Sequence, residues 1–97
     1  MKNSSGIAVV VTTAHRGVFF GYSQDQDLTS TTLRLTECRM CIKWPAENHG
    51  VVGLAANGPA MDARVSPAAP AMILHSITSV MECSKEAIIA WESEPWG

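Results

Sequence analysis

The sequence predicts an α+β domain: a mainly antiparallel curled sheet, or small partly open barrel, of five to seven short strands with one C-terminal helix. Three observations carry this expectation. Two β-branched and aromatic runs, Ile7–Thr13 (IAVVVTT) and Val18–Tyr22 (VFFGY), are joined by only four residues. The stretch Thr31–Trp44 alternates apolar and polar residues as a strand does. Near the C-terminus the spacing changes from two to three and four, behind a serine suited to cap a helix.

The first two runs read as strands, and their short connection, Ala14-His15-Arg16-Gly17, makes an antiparallel hairpin the natural arrangement. Ser23–Ser30 (SQDQDLTS) is polar and reads as an exposed loop. In the next stretch Leu33 and Leu35 are apolar at odd positions, whereas Cys38, Met40, Ile42 and Trp44 are apolar at even ones. A strand keeps its parity unless a residue is inserted, so a bulge, tight turn or kink is expected at Thr36-Glu37. Pro45–Gly50 is turn chemistry, and Val51–Ala56 (VVGLAA) is expected to form a strand pairing with Cys38–Trp44, ended by Asn57-Gly58-Pro59. Pro59, Pro67 and Pro70 confine the following segment to a loop or to edge positions, with Arg64-Val65 as a short edge piece. Met72–Leu74 and Ile77–Cys83 read as a strand pair or one bent strand interrupted at His75-Ser76. Ser84 is placed as an N-cap with Glu86 in the first turn. Ala87, Ile88, Ala90 and Trp91 mark one helical face, and Pro95 ends the helix, which is expected from Lys85 to about Ser93. So short a helix needs the sheet: burying Ile88 and Trp91 would contribute roughly 3–6 kcal/mol.

With 97 residues the chain suffices for a single domain spanning 1–97, with residues 1–6 expected to be disordered or loosely ordered. Hydrophobic residues make up 46% and charged residues 16%, against about 25% charged in typical soluble domains, which excludes intrinsic disorder. The longest uncharged run, ending at Glu82, contains two prolines and a histidine and is no membrane span. Nothing at the N-terminus reads as a signal peptide. Seven basic residues face nine acidic ones for a net charge of −2, and the basic residues form no stripe, which argues against duplex nucleic acid as a partner. A surface so poor in charge must be partly apolar or covered, so a homo-oligomer is expected. The odd count of three cysteines fits a reducing, cytoplasmic compartment better than a disulfide framework.

Cys38-Arg39-Met40-Cys41 has CxxC spacing, which in other contexts holds zinc or performs thiol exchange. Here the segment reads as a strand, where residues three apart point to opposite faces, so the two sulfurs cannot share a metal. No metal and no cofactor are expected. His15, His49 and His75 fall in turns or breaks, with no paired nucleophile and acid, and no catalytic residues are assigned. Arg16, Arg39 and Arg64 each stand in or beside an apolar or small-residue stretch. They are candidate ligand-binding residues for a small anion. Trp44 and Trp96 are candidate interface residues, and Trp91 belongs to the core.

Four segments, Val9–Tyr22 (VVVTTAHRGVFFGY), Leu35–Trp44 (LTECRMCIKW), Gly50–Pro59 (GVVGLAANGP) and Glu82–Gly97 (ECSKEAIIAWESEPWG), together resemble a family of small uncharacterised proteins of tailed bacteriophages and prophages. The resemblance implies a phage setting and a host bacterial cytoplasm, and adds no catalytic residues. The resulting expectation is a non-enzymatic phage accessory protein that acts by binding, as a homo-oligomer, with a small anionic host signal or a host protein as partner and no membrane association. A virion-associated structural or decoration protein is the alternative, and a small metal-dependent enzyme is the third.

Overall fold

The computed structural model describes residues 6–14, 17–24, 29, 31–43, 50–59 and 64–93. Strands β1 (Ile7–Thr13), β2 (Val18–Ser23) and β3 (Leu33–Lys43) are followed by helix α1 (Gly50–Ala56). Strands β4 (Arg64–Val65), β5 (Ala69–Leu74) and β6 (Ile77–Glu82) and helix α2 (Lys85–Ser93) complete the order. The strands form one six-stranded antiparallel sheet in the order β4-β3-β2-β1-β6, with β5 also pairing β3. The α+β expectation therefore holds. The sheet curls without closing. No helix among the described residues is long and apolar enough to cross a membrane.

The β1–β2 hairpin forms as expected, in register from Ile7↔Ser23 to Thr12↔Val18. The parity flip in β3 is a bulge. Phe20 faces Arg39 and Tyr22 faces Thr36, so β3 carries one residue more than β2 across Gly21. Glu37, at φ 50, absorbs the extra residue. Leu33, Leu35 and Cys38 consequently share one core although three positions separate the last two. Gly21 lets the strands approach here: a Cβ would lie 2.8 Å from that of Leu35. A left-handed backbone costs a non-glycine residue about 1 kcal/mol or more. Glu37→Gly is thus expected to raise stability by about 0.5–1 kcal/mol in thermal denaturation. A loss instead would mean that the Glu37 side chain contributes more than the backbone strain costs.

One expected strand is a helix. Gly50–Ala56 forms α1, and the hairpin between 38–44 and 51–56 does not exist; β3 is instead flanked by β4 and β5. A seven-residue apolar run fits either a buried strand or a buried helical turn, and tertiary packing decides. Leu54 and Ala55 are buried while Val52 and Ala56 are exposed. The amides of Asn57 and Gly58 continue the helical pattern to the carbonyls of Gly53 and Leu54, at 2.8 and 3.1 Å. Gly58 then takes φ +81 before Pro59, a helix stop that also served as a plausible strand end.

β5 and β6 are separated only by His75 and Ser76, yet they do not pair with each other. β5 lies along β3 and β6 along β1, on opposite rims of the sheet. This is the bent-strand alternative, with the bend at Ser76 (φ 56). The Ile77 amide donates to the Thr31 carbonyl at 3.1 Å and bridges the two rims at that end. The proline-bearing β5 and the two-residue β4 are edge elements, as their composition requires.

Two cores result. Val9, Val11, Leu33, Leu35, Cys38 and Leu74 fill one face of the sheet. On the other face α1 and α2, through Leu54, Ala55, Ala87 and Trp91, cover Val10, Phe20, Tyr22, Cys41 and Val65. Helix α2 has the expected bounds, and Ser84 caps it: its hydroxyl accepts from the Ala87 amide at 3.0 Å and donates to the Ala56 carbonyl of α1.

Candidate functional site

The bulge in β3 has a second effect on the helix-covered face. Past Glu37 the alternation places Arg39 and Cys41 toward α2, beside Phe20 and Tyr22 of β2. Arg39 is 7% exposed. Its Nε donates to the Ser66 carbonyl at 2.8 Å, and its Nη1 donates to the Trp91 carbonyl in the last turn of α2. A guanidinium there meets carbonyls left over at the helix end and the negative pole of its dipole.

A small cleft opens beside this group, lined by Phe20, Tyr22, Glu37, Arg39, Ala68 and Glu92, with a volume of about 60 Å³. The Tyr22 hydroxyl donates to Glu92 Oε2. The aromatic floor is continuous with the core: Phe20 stacks on Trp91 at 4.9 Å between ring centroids and meets Tyr22 edge-on at 5.4 Å. This space admits a few water molecules and falls well short of the ~300 Å³ at which ordinary ligand pockets begin. Its charged lining is one guanidinium and two carboxylates. A free anion would enter against two like charges.

Of the candidate ligand-binding residues, Arg39 and Arg64 do not share a pocket. Arg39 is a buried strut, Arg64 is exposed on β4 and does not line the Arg39 cleft, and Arg16 lies outside the described residues. Trp44 and Trp96, the candidate interface residues, also lie outside them, as do residues 1–5, His15 and His49. His75 is exposed in the β5–β6 bend.

Cys38 belongs to the core with Leu33 and Leu35, and Cys41 to the helix-covered one, so the CxxC sulfurs do lie on opposite faces. Among the described residues no group of three His, Cys, Asp or Glu side chains could hold a metal ion. Burial pushes the thiols of Cys38 and Cys83 up to about 12. Their reactive thiolates are thus scarce at neutral pH. Iodoacetamide at pH 8 is expected to modify Cys38 only once the chain is unfolded, as mass spectrometry would read. The fold favours the neutral thiol, so this contribution is complete below pH 9 and is lost as pH rises toward 12. The denaturation midpoint should fall across that window.

A second concavity was not legible in the sequence. It is an open, mainly apolar groove of about 450 Å³ between α1 and the end of β6, lined by Val52, Ala55, Ala56, Met81, Glu82, Cys83 and Ser84. Reading 51–56 as a strand hid it. The Tyr22–Glu92 pair was within reach of the pattern, since Tyr22 shares the parity of Phe20 and Glu92 lies one turn beyond Ile88.

No curated protein and no solved structure matches the chain. Residues 6–91, from the residue before β1 to Trp91 of α2, match the domain of unknown function DUF6948, and the chain belongs to that family.

Proposed function

We propose that this domain is a non-enzymatic binding protein that works as a homo-oligomer and presents an apolar surface to a protein partner. The observation that carries this reading is the exposure of large apolar side chains: Ile42, Val52, Ile73 and Ile89 are each more than half exposed. They stand on a chain in which charged residues are only 16% of the total. Isolated exposed apolar residues are ordinary, but so many with so little ionic cover favour association. The Arg39 cleft favours a protein partner over a small anion, because carboxylates share its lining and main-chain carbonyls engage its guanidinium.

The setting we propose, the cytoplasm of a phage-infected bacterium, follows from the resemblance of the four segments named above. Multi-angle light scattering at micromolar concentration tests the association. A mass above one subunit is expected, rising with concentration. A monomer throughout that range would remove the reading.

A further inference from the structure

We propose that the outer edge of β6 is a self-association surface and that a second copy of this chain adds its own β6 antiparallel to it, about a two-fold axis at Val80. The inference rests on the homo-oligomer reading and specifies where the copies meet.

The direction of the β6 main chain follows from its ladder. The Cys83 amide donates to the Ala8 carbonyl at 2.9 Å, and the same register runs on through Met81↔Val10 and Ser79↔Thr12. In an antiparallel pair every second residue bonds inward. Cys83, Met81 and Ser79 therefore bond to β1, and the amides and carbonyls of Val80 and Glu82 point away from it. Among the described residues β6 pairs with β1 alone, so this row meets no further strand.

Natural sheets blunt such an edge with proline, lysine, bulges or extreme shortness. The opposite rim does so: β5 carries Pro70 and β4 has two residues. β6 (ITSVME) has no proline and no basic residue, and its one charge is the terminal Glu82. Its irregularity lies at the start, between Thr12 and Thr13 of the partner strand, which leaves Ser79–Glu82 regular.

A second copy fits the edge better than an unrelated strand because the edge complements itself. A two-fold axis at Val80 centres the pairing on the regular part of the strand and sets Val80 against Val80 and Ser79 against Met81. Glu82 then falls beside Thr78, the extra residue of the bulge, whose hydroxyl already meets Thr12 Oγ1 at 2.7 Å. No two like charges face each other. Val80 already packs half-buried against the core of Val9, Val11 and Leu35, so its copy would extend that core. On the helix side the apolar groove borders the same strand at Met81, where the copy's Ser79 would lie over it.

Residue-resolved amide hydrogen exchange on the wild-type protein, at high and low micromolar concentration, tests this without a variant. The Val80 and Glu82 amides should exchange roughly tenfold slower at the high concentration, while those of Ser79 and Met81 are protected at both. Val80→Lys should give a folded monomer in light scattering, its fold verified by continued Met81 protection. If the wild type is oligomeric but the Val80 and Glu82 amides exchange freely, or are protected independently of concentration, the β6 edge is not the contact and the homo-oligomer reading stands. If the wild type is a monomer throughout, both fall.

Discussion

Trp91→Ala is expected to lower the unfolding free energy by about 3–5 kcal/mol, the largest effect of any single truncation in this fold. Among the described residues Trp91 is the largest fully buried side chain. With Ala87 it forms the buried face of α2, stacking on Phe20 with ring planes 6° apart, and its Nε1 donates to the Leu54 carbonyl of α1 at 3.0 Å. One side chain thus joins α2, β2 and α1. The Leu54 carbonyl retains the Gly58 amide at 3.1 Å, so the loss is one of packing more than of an orphaned acceptor. For a domain of this size the melting temperature should fall by roughly 15–30 °C, read by circular dichroism. Trp91→Phe keeps the stack and should cost less than half as much. Equal losses in the two variants would assign the main stabilisation to the indole N–H.

Arg39→Lys is expected to destabilise by about 2–4 kcal/mol, although charge is conserved. The guanidinium holds the Ser66 and Trp91 carbonyls through two different nitrogens. A lysine ammonium is a point donor on a differently shaped stem and cannot reproduce that fork. At least one buried carbonyl then loses its donor. Arg39→Met should cost at least as much, since it removes both donors. Chemical denaturation of the two variants distinguishes a strut from a ligand-binding residue. If Arg39→Lys unfolds at the wild-type midpoint, the guanidinium contributes nothing specific to the fold and a ligand role regains its place.

These two residues also show which parts of the fold were legible. The parity change between Leu35 and Cys38 is a local signal that located the bulge at Glu37, and the plain alternation beyond it sets the CxxC sulfurs on opposite faces. The Ser84 cap, the spacing to Trp91 and the edge character of the proline-bearing segment are likewise local. Helix α1 was not legible, because seven apolar residues do not distinguish a period of 2 from one of 3.6. The role of Arg39 was hidden for a different reason. Arginines are mostly exposed, so one in a strand reads as a surface or ligand group. Its partners, Ser66 and Trp91, lie 27 and 52 positions away, and only the folded chain brings them together. The cleft and the groove share this origin, since each is walled by segments far apart in the chain.

The two-residue link at His75-Ser76 bears on how the molecule is made. β1 leaves the ribosome well before its second neighbour, β6, whose Glu82 lies opposite Val9 and follows it by about seventy residues. At ordinary translation speed that delay is roughly 4–15 s, during which the nascent hairpin holds Val9 and Val11 without their final cover. Pairings so distant along the chain also slow the closing step of folding. Premature contacts during synthesis are therefore the main hazard for this architecture, and the tight corner helps by delivering β6 to its rim as soon as β5 has docked.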